Sequence, residues 1–187
     1  AYTQSLTEQI SANIEYKTAV YEQTLVLTAH PRDLFENSTR EDGVGRRYYI
    51  DDVRKFCVES ILQNKQIDTI YIQDRYGYSY YVNNNLTVMD HTNSPVHRYI
   101  TENISQLRNN WGISQWTAFD EDPDQPVLIS TIFNFDTLEF LGVVAITFSP
   151  DFFPTFYQSA NLDYPDNVLV FNTDDDLLSC GEAGRPL

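Results

Sequence analysis

An α+β fold, with a long N-terminal helix ahead of an antiparallel sheet flanked by helices, follows from three features of this 187-residue sequence. The first 30 residues hold no glycine or proline and place Leu6, Ile10 and Ile14 at i, i+4 and i+8, with Tyr21 and Leu25 continuing the row. That is the 3.6-residue period of a helix with one apolar face. Two pairs of β-branched and aromatic segments follow, near residues 67–82 and 127–148, each joined by a short polar turn. Between them Ser94-Pro95 opens a third helical stretch, since proline suits a first turn.

Each element has its own justification. At 1.5 Å per residue the first helix is about 40 Å long, and His30-Pro31 ends it because a residue before proline avoids the helical region. Residues 31–47 are polar, with a loop at Glu41-Asp42-Gly43-Val44-Gly45. Tyr49 to Gln66 reads as a second helix, turning Val53, Phe56, Ser60 and Ile61 or Cys57 inward, with Asp51 and Asp52 in its first turn at the positive end of the dipole. Ile67–Gln73 and Tyr78–Val82 form a hairpin across Asp74-Arg75-Tyr76-Gly77. The third helix runs to Asn109, followed by a short strand from Ile113 to Ala118 and an acidic loop at 120–124. Strands at Val127–Phe135 and Phe140–Phe148 and a closing helix or turn at 150–160 complete the order. The row Thr69–Gly77 recurs loosely 99 residues later as Val168–Asp176: an apolar strand, a polar residue and a tight Asp-bearing turn. The division this suggests is a helix over 1–30, a module over 31–162 and the start of a second, similar module over 163–187.

Composition narrows the function. The net charge is −15, and it is lopsided: residues 1–110 carry 14 acids against 11 bases, residues 111–187 carry 13 against one, Arg185. Such a field repels nucleic acid, which binds to a basic stripe, and disfavours docking on an anionic membrane surface. The longest apolar run, Leu141–Phe148, is far short of the ~20 residues of a membrane helix. Cys57 and Cys180 stand open as two buried thiols or a long-range disulfide.

No catalytic constellation is present. His30, His91 and His97 are not in His-Glu-x-x-His spacing, and there is no Gly-x-Ser-x-Gly elbow. Asp120, Glu121, Asp122 and Asp124 read as a solvated loop, and Asp174-Asp175-Asp176 as a turn lacking the glycine and distal Glu of a calcium loop. No metal and no cofactor is expected. The aromatic residues are more informative: Trp111, Trp116 and Tyr81 can wall a pocket, with Arg98 and Arg108 to neutralise a ligand carboxylate and Asn134 and Asp136 at the sheet rim.

This order of elements resembles the Cache family, PAS-like extracellular sensor domains of bacterial membrane receptors. The resembling pieces are Ile70-Tyr71-Ile72-Gln73-Asp74 through Gly77, Trp111 with Trp116, Val127–Ile132, and the run Leu141-Gly142-Val143-Val144-Ala145-Ile146. The resemblance implies a membrane-distal PAS-like module whose sheet cups a small ligand. It also implies a truncated membrane-proximal module as in double Cache receptors, and flanking transmembrane helices outside this chain as the only link to the membrane. It is most similar to the sensor regions of Gram-positive two-component histidine kinases, which sit on the extracellular face of the cell membrane. The N-terminal helix would then carry the signal and serve as a homodimer contact. In family members that bind amino acids, an Arg, a Trp and a Tyr follow the third helix and an Asp on a later strand takes the ammonium. Arg108-Asn109-Asn110-Trp111 and Asp136 are the counterparts here, without the tight Arg-x-Trp-Tyr run. The alternatives are an extracellular carbohydrate-binding module or the sensor domain of a chemoreceptor.

Overall fold

The computed structural model describes residues 2–23, 29–38, 43–87, 92–109, 114–157 and 168–180. Its elements are α1 (Tyr2–Tyr21), α2 (Ala29–Glu36), α3 (Val44–Gln63), β1 (Ile67–Asp74), β2 (Ser79–Asn83) and α4 (Pro95–Asn109). They continue as β3 (Ser114–Phe119), β4 (Asp122–Phe133), β5 (Phe140–Phe148), α5 (Pro154–Tyr157), β6 (Leu169–Phe171) and β7 (Leu177–Cys180). Strands β1–β5 form one antiparallel sheet in the order β2-β1-β5-β4-β3, and β6–β7 form a separate two-stranded sheet.

Helices cover both faces of the five-stranded sheet, so its central strands read as continuous apolar runs rather than alternating ones. On one face Ile70, Ile72, Val144, Ile146 and Leu128 pack under Tyr49, Val53, Cys57 and Ile61 of α3 and Phe35 of α2. On the other, Tyr71, Val127, Ile129, Val143 and Ala145 pack under Val96, Ile100 and Leu107 of α4. Register makes this division: Ile70 pairs with Ile146 and Tyr71 with Ala145, and successive residues point to opposite faces. Gly142, opposite Asp74, admits the ring of Phe35, and a Cβ there would collide with that ring and with the Gln73 carbonyl.

The N-terminal half departs from the sequence expectation. Pro31 does not end a helix but lies in the first turn of α2, where its missing N–H leaves no hydrogen bond unmade. α1 ends at Tyr21, with Glu22 and Gln23 in a π-helical turn. The helix expected from Tyr49 starts five residues earlier, so Asp51 and Asp52 lie in mid-helix, exposed. Phe56 is half-buried, and Tyr49 takes an inward place instead. The acidic loop shrinks to a turn at Asp120-Glu121, because β4 starts at Asp122, paired with Phe119.

The sequence echo has a geometric basis, one residue out of the expected register. Asp74 Oδ1 accepts the N–H groups of Tyr76 and Tyr78 at 2.9 and 3.0 Å. Asn172 Oδ1 accepts those of Asp174 and Asp176 at 2.9 and 2.8 Å, and Asn83 Oδ1 those of Asn85 and Thr87 at 3.1 and 3.0 Å. The fourth residue of each turn is left-handed: Gly77, Asp175 and Leu86. A short side-chain acceptor mimicking a backbone carbonyl explains why Asp or Asn stands first each time. The β6–β7 hairpin turns Val170 and Leu178 into the larger core and leaves Leu169 and Phe171 about half exposed, at 49% and 52%.

Candidate ligand-binding site

The α4 face of the sheet combines apolar residues with buried threonines, and at one end a polar group gathers around Tyr71. Hairpin register places Tyr81 opposite Tyr71, and alternation puts Gln73 beside it on the same face. His97 enters from the first turn of α4, its backbone N–H donating to Ser94 Oγ at 3.1 Å. Tyr71 Oη is 2.9 Å from Gln73 Oε1 and 2.9 Å from His97 Nδ1. The hydroxyl has one proton; giving it to Gln73 Oε1 obliges His97 to present Nδ1–H to the phenol oxygen. Burial pushes the Tyr71 phenol up to about 12, against a lowering hydrogen bond from Ser79, so the group stays neutral. Further along α4, Tyr99 Oη accepts from Gln115 Nε2 at 3.3 Å. The face therefore offers hydrogen-bonding groups among aromatic rings, a composition that orients a small polar ligand. Cys57, on the other face, is a fully buried free thiol pushed up to about 12 by burial, which withholds a thiolate nucleophile.

The structure distributes the seven residues singled out in the sequence. Tyr81 is half-buried with its ring centroid 6.4 Å from that of Tyr71. Arg108, in the last turn of α4, lies over the Phe140 ring at 5.2 Å. Both border the α4 face. Arg98 points outward and pairs with Glu121 Oε1 at 2.6 Å, tying α4 to the β3–β4 turn and lowering the Glu121 carboxyl by that hydrogen bond. Asn134 and Asp136 form the β4–β5 turn: Asn134 Oδ1 accepts the Asp136 N–H at 2.9 Å, and its Nδ2 donates to Glu36 Oε1 at 2.8 Å. Trp111 lies outside the described residues.

Trp116 stands on the opposite face. Its ring stacks on Phe148 and Phe152 at 5.3 and 5.5 Å, and Tyr21 meets the same two rings edge-on. The indole N–H donates to Glu22 Oε1 at 2.7 Å, and the Trp116 carbonyl accepts from Asn172 Nδ2 at 2.8 Å. One residue thus connects the end of α1, the sheet and the β6–β7 hairpin.

A second polar group lies beneath the β1–β2 turn. Asp74 is buried, and its Oδ2, like the Tyr49 hydroxyl, has no hydrogen-bond partner among the described residues. Desolvation raises the Asp74 carboxyl, against the N–H donors of Tyr78 and Tyr76 and the charge of Arg46.

Sequence reasoning missed Tyr71, Gln73 and His97 as site residues. The signal was present in the hairpin: equal offsets from its turn pair Tyr71 with Tyr81, and a step of two adds Gln73. His97 had no such signal, because only the packing of α4 brings it there.

No family model matches the sequence, and no curated protein is significantly similar to it. The structure is similar to the sensory domain of the Campylobacter jejuni chemoreceptor Tlp3 (CcmL), with a TM-score of 0.52 at 12% identity, over 97% of this chain and 73% of that one. The same domain with isoleucine bound matches with a TM-score of 0.52, 12% identity and the same coverage. With its N-terminal helix, five-stranded antiparallel sheet and covering helices, the chain shares the α+β fold of that domain.

Proposed function

We propose that this chain is the extracellular ligand-sensing region of a bacterial membrane receptor, binding a small molecule on the α4 face of its sheet. The observation that carries the reading is the polar group at Tyr71, Gln73 and His97, sunk in that face of a fold shared with a chemoreceptor sensory domain. Tyr81 and Arg108 border that face, and Trp111 follows Arg108 in the chain. Arg98, Asn134 and Asp136 would act from its margins, and Trp116 from the transmission side. Isoleucine in the neighbouring structure makes α-amino acids the first class to try, with Arg108 the group for a carboxylate.

Ligand binding would shift an equilibrium between two packings, with α1 passing that bias toward a membrane helix beyond this chain. Tyr16 and Val20, exposed on α1, suit a homodimer contact there. A histidine kinase output follows from the family resemblance; a chemoreceptor output fits the structural neighbours equally well. Residues 163–187 would begin a membrane-proximal module, in keeping with the separate β6–β7 sheet and its half-exposed Leu169 and Phe171.

The test is a thermal-shift screen against amino acids, organic acids, sugars and calcium, repeated on Tyr71→Phe and Arg108→Ala. A ligand at 100 times its Kd adds about 2.7 kcal/mol, or roughly 5–10 °C for a chain of this size. A hit lost in both variants supports the α4-face site. A hit unchanged in both overturns the placement, and a flat screen overturns the small-molecule reading.

A further inference from the structure

A groove runs along one side of α1, between that helix and the β6–β7 hairpin, on the sheet face opposite Tyr71. It consists of two cavities of about 520 and 550 Å³ that share Ile14, Glu15, Val170 and Phe171. Its floor is apolar, made by Ile14, Trp116, Phe153 and Val170. Its rim is acidic, with Glu15 and Glu22 on the helix side and Asp174 from the β6–β7 turn. Among the described residues that line it there is no Lys, Arg or His. Glu15 and Glu22 are seven residues apart, which sets them on the same side of the helix about 10 Å apart along its axis.

We propose that this groove binds a linear aliphatic polyamine. The carboxylates are spaced for the two ends of an extended triamine, and the aromatic floor between them suits its methylene chain and the faces its ammonium groups prefer. A single metal ion is a poorer fit, because oxygen ligands must converge on one sphere and these stand two helical turns apart. An anion meets only like charge. A bound polyamine would bridge α1 and the β6–β7 hairpin, the two elements Trp116 already connects through Glu22 and Asn172. Of its lining only Gln115 also reaches the α4 face, through Tyr99, and the acidic rim does not depend on what binds there.

The experiment is calorimetric titration of the purified chain with spermidine, n-butylamine and magnesium chloride at matched ionic strength. Trp116 fluorescence is followed in parallel in a Trp111→Phe background. The expected result is saturable one-to-one binding of spermidine that changes Trp116 emission, with affinity at least tenfold above that for n-butylamine. The double variant Glu15→Gln/Asp174→Asn should weaken it at least tenfold, while Tyr71→Phe leaves it unchanged. Thr18→Lys, which tethers an ammonium inside the groove, should abolish binding and raise the unliganded melting temperature. Equal responses to magnesium and spermidine overturn the proposal, as does undiminished binding by Thr18→Lys, the deciding variant if the double variant fails to fold.

Discussion

Glu22 and Trp116 lie 94 residues apart in sequence and are joined by a 2.7 Å hydrogen bond from the indole N–H to the carboxylate. The bond fastens the end of α1 to an edge strand of the sheet, just where the stacked rings of Phe148 and Phe152 back the indole. Glu22→Ala leaves a half-buried donor without its acceptor and should destabilise the fold by about 1–3 kcal/mol. Glu22→Gln keeps an amide oxygen and should recover most of that. Urea unfolding of Glu22→Ala, Trp116→Phe and the double variant measures the pairwise part; coupling below about 0.5 kcal/mol would show that the bond contributes nothing.

Asp74 predicts an unusual pH response. Its carboxyl is raised from 3.8, so between that value and its higher folded value the native state holds more proton than the unfolded chain. Its contribution is fully present below 3.8 and is lost as pH rises through the folded value. Asp74→Asn retains the oxygen that caps the turn and replaces the unpartnered Oδ2 with a donor. The variant should show a flatter stability-versus-pH curve and be no less stable than wild type at pH 7. A wild-type curve whose difference from Asp74→Asn does not grow with pH would refute this.

At Gly142 the constraint is space rather than backbone freedom. Gly142→Ala drives a methyl group into the Phe35 ring and the Gln73 carbonyl, and the latter belongs to a paired central strand that cannot retreat. A loss of about 1–3 kcal/mol or more is expected in chemical denaturation.

Leu138 stands at φ 60° in the β4–β5 turn and is 49% exposed. Leucine there is held in a conformation unfavourable by about 1–2 kcal/mol, with little packing to compensate. Leu138→Gly should raise the melting temperature by a few degrees. A drop would mean that its exposed side chain has a contact role in the native fold.

The sheet was legible because its strands carry their own signal. Ile67–Gln73, Val127–Phe133 and Phe140–Phe148 are apolar on both faces, and the hairpin turns open on Asp74 and Asn134, whose side-chain oxygens accept the turn N–H groups. The N-terminal helices were less so, because Pro31 is compatible with either end of a helix and only tertiary packing of Leu34 and Phe35 decides for α2. At the candidate site, the sequence reading put Trp116 and Tyr81 on one wall. Trp116 and Tyr81 alternate onto opposite faces, and that depends on strand register across the whole sheet, which no local pattern in 111–116 encodes.

The order β2-β1-β5-β4-β3 has a consequence for biogenesis. The middle of the sheet joins Ile70 to Ile146, so β1 has no partner on its inner side until the chain has been made past Phe148. A nascent chain would present the β1–β2 hairpin with one unpaired, strongly apolar edge during the synthesis of the next seventy or so residues. Non-local pairing of this kind slows folding and exposes a template for wrong partners. Made too quickly or at high concentration, this chain should aggregate through β1, and its yield should rise with slower synthesis rather than with stronger expression.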